Sequence, residues 1–172
     1  ARPHPRIMTP VARISTAIAL LDALESAPRR PADAVANDFF RARRYIGGGD
    51  RRAVADRAWG VVRERARLDW HLDRVGAAPT GRLLMAAPMM LAEGGGLAGV
   101  EAAFGGTQYA ERPLSAEERF FLSKMEGRPY HHPKMDEGTR LNLPDWALPG
   151  LRARAGYGHL TKAPTFNFLY PG

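Results

Sequence analysis

The chain has 172 residues, of which 45% are hydrophobic and 25% charged, a composition typical of one globular domain rather than a disordered segment. It contains no cysteine, which excludes disulfides, thiolate metal sites and a thiol nucleophile. Its net charge of +7 is carried almost entirely by arginine, because Lys124, Lys134 and Lys162 are the only lysines. Arginine favours a phosphate-bearing partner, although a GC-rich gene enriches arginine whatever the function.

The first two predicted helices are amphipathic and are separated by a proline-rich break. Thr9 and Pro10 open the first helix, since proline is tolerated where a backbone N–H has no helical partner. Apolar residues then recur at helical spacing up to residue 24. Pro31 starts the second helix, which carries Val35 and Phe39 toward the core and ends in arginines.

Three consecutive glycines and a long helical pattern follow. Residues 47–49 lack the spacing of a dinucleotide-binding loop and follow a helix, so they are interpreted as a helix C-cap and turn. Asp50 is predicted to be the N-cap of a helix that continues without interruption to Leu72. Arg65 falls on the apolar stripe of that helix, and Asp69, one turn later, is its predicted ion-pair partner.

The rest of the chain also favours helices. Residues 83–91 are apolar nearly all round and predict a central helix that Pro88 kinks or splits. A short helix is expected at 97–104, and Ser115 with Glu118 forms the capping box of another. Residues 127–143 are polar and proline-broken, and a last helix is predicted from Pro144 to about residue 155. The pattern indicates an all-α bundle of about seven helices with an irregular C-terminal segment, in which only residues 165–170 alternate like a strand.

The long helix and the arginines before it form the predicted RNA-binding surface. Cations on one helix face, interleaved with flat aromatic side chains, can meet phosphates and stack on unpaired bases. The predicted RNA-binding residues, all expected to face solvent, are Arg41, Arg43, Arg44, Arg51, Arg52, Trp59, Arg63 and Arg67.

No catalytic or metal-binding group is predicted. The adjacent His131 and His132 have no third ligand at a suitable spacing, and the serines lie in no nucleophile-elbow context. No apolar run is long enough to cross a bilayer, so a cytoplasmic protein without a membrane partner is expected.

Residues 33–72 read DAVANDFFRARRYIGGGDRRAVADRAWGVVRERARLDWHL: a basic helix, a glycine turn closing on Asp-Arg, and a long helix ending in an Arg-rich segment. This pattern resembles the N-terminal helical domain of bacterial ribosomal-RNA cytosine-5 methyltransferases, the Sun/Fmu family, a domain that is itself similar to the antitermination factor NusB. The resemblance extends from Met8 to about Arg154 and includes the Pro-Asp-Trp-Ala-Leu run from Pro144.

The resemblance implies a NusB-like RNA-binding domain at residues 8–155, with ribosomal RNA as its partner, and an irregular tail at 156–172 where the family's catalytic domain would begin. The family's catalytic domain uses a cysteine nucleophile and a glycine-rich loop that holds S-adenosylmethionine. This chain has no cysteine and no counterpart of that loop, so no catalytic residue is carried over and no cofactor is expected in it. It is then either part of a longer enzyme or a stand-alone RNA-binding bundle.

Another class of function stays open. NusB works with a protein partner as well as with RNA, so the chain could be a helical protein-interaction module that binds the family's methyltransferase domain or another protein, or a ribonucleoprotein-assembly component. An exposed apolar patch across Phe120, Phe121 and Trp146 would favour a protein partner. A continuous arginine surface over residues 41–67 would favour RNA.

Overall fold

The computed structural model describes residues 7–144, 146–147 and 149–150. Within these ranges the regular secondary structure is entirely helical, which confirms the predicted all-α class. The helices with defined bounds are α1 (Pro10–Glu25), α2 (Ala32–Arg41), α3 (Gly48–Arg63), α4 (Arg65–Val75), α5 (Gly81–Leu91), α6 (Gly96–Ala103), α7 (Ala116–Met125) and α8 (Glu137–Arg140). Most of the predicted C-terminal helix, the tail at 156–172 and the alternating residues 165–170 lie outside the described residues. Among the helices described, none is both long enough and apolar enough to span a bilayer.

Helices α1 and α2 begin as the sequence predicts. The Thr9 side chain accepts a hydrogen bond from the Ala12 amide at 3.2 Å, and Pro10 is the first helical residue. Pro31 precedes α2, which buries Val35 and Phe39. Helix α1 packs against α2, α3 and α5, so its apolar side lies within the bundle.

Helix α3 begins earlier than predicted, and two predictions about its start are wrong. Gly47 is the N-cap in an extended conformation, and the next two glycines form the first turn of α3 rather than the C-cap of α2. Asp50 is the third helical residue and not the cap. Its carboxylate instead accepts hydrogen bonds from the Arg13 side chain at 2.8 Å and from the Met8 amide at 3.1 Å, partners about forty residues away in sequence.

The predicted long helix is divided at Glu64, so the prediction of an uninterrupted helix is wrong. Glu64 has φ −96° and ψ 9°, outside the helical region, and separates α3 from α4. Its side chain accepts hydrogen bonds from the Tyr130 hydroxyl at 2.7 Å and from the Asn142 amide at 3.2 Å, and also pairs with Arg67. We infer that these distant partners stabilise the break, because a straight helix would aim Glu64 elsewhere.

Helix α5 is the centre of the bundle, as predicted, and contacts α1, α3, α4, α6 and α7. Leu84 and Met85 are almost completely buried. Pro88 lies inside the helix without splitting it, so of the two predicted alternatives, a kink or a split, the split is wrong. The helix ends one turn later, where the Ala92 amide still donates to the Pro88 carbonyl at 2.9 Å.

A predicted capping box attaches α7 to the bundle. The Ser115 hydroxyl accepts from the Glu118 amide, and the Glu118 carboxylate accepts from the Ser115 amide. Arg82, on α5, donates to Glu118 at 2.8 Å and to Glu111 at 2.6 Å. Cation and carboxylates are all largely buried, so this cluster fixes the loop before α7 against the central helix.

Candidate nucleic-acid interface

The connector between α2 and α3 is a compact turn that is fastened to the bundle at both ends. The Ile46 amide donates to the Arg43 carbonyl at 3.0 Å, which places Arg44 and Tyr45 at the two central positions of the turn. Ile46 is 2% exposed and anchors the second end. At the first end, the Arg43 guanidinium lies 3.7 Å from the centroid of the Phe39 ring and donates to the Phe39 carbonyl at 3.1 Å.

Arg51 fastens the same connector from the side of α3. Its Nε donates to the Ile46 carbonyl at 3.0 Å, and its guanidinium lies 5.9 Å from the centroid of the Phe40 ring. Arg43 and Arg51 are both half-buried. Of the predicted RNA-binding residues, these two therefore hold the connector in place, and they keep only part of each guanidinium accessible.

Arg41, Arg44, Arg52 and Arg63 are exposed, and the last three differ from Arg41 in having no ionic partner. Within residues 7–144, none of the three side chains forms an ion pair or hydrogen bond. Arg52 and Arg63 are eleven residues apart in α3, which at 100° per residue places them about 20° apart around the helix and about 16 Å apart along it. Both arginines therefore project from one face of α3.

The acids nearest to this surface in sequence differ in their pairing. Arg41 is exposed and lies 3.4 Å from Asp38, a weak surface pair. Asp50 is buried beside Arg13, and the Met8 amide and the Arg13 guanidinium hold the pKa of Asp50 below its ordinary value. The Asp50 charge is thus balanced by Arg13 rather than by the arginines of residues 41–52, and Asp56, four residues after Arg52 in α3, is an exposed acid on the same side of that helix.

Two of the predicted RNA-binding residues are less exposed than expected, Arg67 and Trp59. Arg67 is 7% exposed, so the prediction that it projects from the outer face is wrong. Its guanidinium pairs with Glu64 and donates to the Arg140 carbonyl at 2.8 Å, because residues 130–142 fold over this part of α4. Trp59 is half-buried and packs against the hydrophobic core, so it is less exposed than its position on the predicted outer face implied.

Tyr45 is an exposed residue of the candidate surface that the sequence prediction did not include. Its side chain is 73% exposed. Arg44 directly precedes it, the buried Ile46 directly follows it, and Arg51 lies six residues later in α3. The available signal was an aromatic residue directly after Arg-Arg and two residues before the glycine run that starts a helix. It could have been singled out as an exposed stacking group only if the turn had been recognised.

The remaining polar groups of the described residues offer no metal centre. No cluster of three histidine, aspartate or glutamate side chains suited to a metal ion occurs in the part of the chain that the structure describes. His71 is buried, its Nε2 donates to the Tyr130 carbonyl at 2.8 Å, and burial lowers its pKa. This histidine is a structural group.

A surface groove on another side of the bundle has the opposite character. It runs between the end of α1, helix α4 and residues 139–144, and Glu25, Asp69 and Asp73 line it against Arg65. Arg65 pairs with Glu25 and donates to Asp69 at 2.8 Å, which confirms the predicted Arg65–Asp69 partnership. The groove carries three acids, and its cation, Arg65, is already paired with two of them. The groove therefore repels phosphate.

The apolar patch expected for a protein partner is only partly formed. Phe120 and Trp146 are each 53% exposed, whereas Phe121 is half-buried and packs against the core. The Lys124 ammonium lies 4.2 Å from the centroid of the Phe120 ring and covers part of it.

Comparisons with protein-family models, curated proteins and solved structures give no match to this chain.

Proposed function

We propose that this chain is an RNA-binding domain that recognises ribosomal RNA in the cytoplasm. In this proposal it is a NusB-like bundle that brings the catalytic part of a ribosomal-RNA cytosine-5 methyltransferase to its substrate, as the resemblance of residues 33–72 implies. The observation that carries the proposal is the set Arg44, Arg52 and Arg63, which are exposed and have no partner among the described residues.

The way the connector is fastened supports the same proposal. Arg43 and Arg51 hold the turn against Phe39 and the Ile46 carbonyl, so Arg44 keeps a fixed position relative to the face of α3. Arginines held in place lose less conformational freedom on binding than those of a disordered basic tail. Arginines carried on a fixed backbone also suit the regular spacing of phosphates along an RNA backbone.

A protein-interaction module is the second candidate, and the exposed Phe120 and Trp146 favour it. Exposed large aromatic side chains are common at protein interfaces. Two isolated aromatics, one of them partly covered by Lys124, are a weaker basis than a row of unpaired arginines. We therefore propose RNA binding as the first candidate function and protein binding as the second.

A salt titration tests the proposal. Replacing Arg44, Arg52 and Arg63 together by Gln removes three exposed cations and breaks no ion pair or hydrogen bond among the described residues. Because each phosphate contact to single-stranded RNA contributes about −0.7 to the slope of log affinity against log salt, the triple variant should flatten that slope by about two units. Fluorescence anisotropy with a labelled, unstructured RNA oligonucleotide measures the slope.

The matched control replaces Arg112, Lys124 and Lys134 by Gln, which changes the net charge equally on exposed positions outside the candidate surface. The control should keep at least most of the wild-type slope. Equal slopes for wild type and the triple arginine variant would reject the proposed surface. Equal losses in both variants would show binding to overall charge rather than to this surface.

A further inference from the structure

Tyr45 adds an exposed aromatic ring to the candidate surface, and contacts between arginines and phosphates do not require such a ring. Its ring is the most exposed tyrosine ring of the described residues, and no ring or cation contact within those residues covers it. Tyrosine is partly apolar, so leaving its ring in water is unfavourable compared with burying it. The connector nevertheless presents it outward.

The turn geometry explains how the ring is presented. Arg44 and Tyr45 occupy the central positions of the turn closed by the Ile46 amide and the Arg43 carbonyl, while their neighbours Arg43 and Ile46 are fastened to the bundle. The backbone beneath the two side chains is therefore held at both ends. Two adjacent residues at the tip of this turn therefore carry a guanidinium and an aromatic ring.

This pair has the chemistry of a nucleotide site. The guanidinium of Arg44 suits a phosphate, and the phenol ring of Tyr45 suits the face of a base. Bases in a duplex are stacked on each other, and their faces are not available to a side chain, whereas an unpaired base can be stacked on an aromatic ring.

Resting on the proposed function, we infer that the Arg44–Tyr45 turn binds an unpaired nucleotide, with Tyr45 stacking on its base. The ligand class of the surface is thus single-stranded RNA, in a loop, bulge or end, rather than a continuous duplex. Tyr45 supplies affinity that is independent of salt, and the arginines supply the part that depends on salt.

Variants of Tyr45 test this inference by fluorescence anisotropy against two RNA probes, an unstructured 12-nucleotide strand and the same strand annealed to its complement. Stacking on an aromatic residue contributes enough affinity that Tyr45→Ala should weaken single-strand binding by about 5- to 150-fold. Tyr45→Phe keeps the ring and should stay within about twofold of wild type, since stacking does not need the hydroxyl. Duplex binding and the salt slope should not change in either variant.

The matched control is Tyr109→Ala, which removes the exposed tyrosine of the loop between α6 and α7 and should leave both affinities unchanged. Circular dichroism confirms that each variant is folded. If Tyr45→Ala binds the single strand as wild type does, or loses single strand and duplex equally, the inference is wrong.

The outcome separates this inference from the proposed function. An unchanged Tyr45→Ala together with a flattened salt slope in the triple arginine variant would reject base stacking and leave RNA binding in place. Absence of salt-dependent binding of wild type to either probe would reject both and favour the protein-partner candidate.

Discussion

An arginine of this chain either forms contacts within the fold or faces solvent, and its contacts in the folded structure decide which. The Arg65–Asp69 pair was predictable because both residues lie on one helix, four positions apart. Arg67 was predicted to face solvent and is buried instead, because the side chain of Asn142 and the carbonyl of Arg140, more than seventy residues later, contact its backbone and guanidinium. No local pattern contains that information.

Glu118 allows a test of a structural charge pair. The hydrogen bond from Arg82 is the main cause that lowers the pKa of Glu118 to about 2. A carboxyl group with a lowered pKa stabilises the folded state above its unfolded pKa, near 4.5, and this contribution is lost as the pH falls toward 2. Since hydrogen bonds to charged groups contribute roughly 1.5–3 kcal/mol, Glu118→Gln should lower the free energy of unfolding by about that amount at pH 7.

Urea denaturation at several pH values measures the effect. The difference between wild type and Glu118→Gln should be widest above pH 4.5 and should close toward pH 2. The control Glu117→Gln changes an exposed neighbour in the same helical turn and should show a much smaller difference. A difference for Glu118→Gln that does not vary with pH would contradict the assigned role of the Arg82 hydrogen bond.

At the level of the helices, the sequence predicts the features that are determined by residues close to each other in sequence. The all-α class, the start of α1 at Thr9 and the capping box at Ser115 follow from periodicity and from side chains within four residues. The break at Glu64 and the start of α3 at Gly48 were missed. Two carboxylates at these places bind groups distant in sequence: Glu64 contacts Tyr130 and Asn142, and Asp50, which was expected to be the N-cap, contacts Arg13.

The central position of α5 gives a second stability prediction. Leu84 is 1% exposed in a helix that contacts five others, so little rearrangement can fill the space left by a smaller side chain. Leu84→Ala should cost about 2–5 kcal/mol in the free energy of unfolding. The exposed Leu141→Ala is the control and should change it little. A denaturation midpoint of Leu84→Ala equal to that of wild type would show that α5 is not the centre of the core.

On the scale of the whole molecule, charge is distributed unevenly over the bundle. Arg44, Arg52 and Arg63, which are exposed and form no ion pair within the described residues, lie on the α2–α3 connector and one face of α3, while Arg29 and Arg74 are exposed elsewhere on the bundle. The groove beside α4 is lined by Glu25, Asp69 and Asp73. The sequence predicted the location of the arginine-rich surface, because its residues are close in sequence. It missed Tyr45, whose exposure depends on a turn fastened by Phe39 and the buried Ile46.

The most direct test of RNA binding by this surface is to map the contact by NMR. Amide chemical shifts of the isotopically labelled chain would be followed during titration with an unstructured 12-nucleotide RNA. The account predicts that the largest shifts occur at residues 43–52 and near Arg63, and that they diminish as salt is added. Shifts that centre instead on the acidic groove around Asp69 or on α7 around Phe120, or that are absent at every salt concentration, would contradict it.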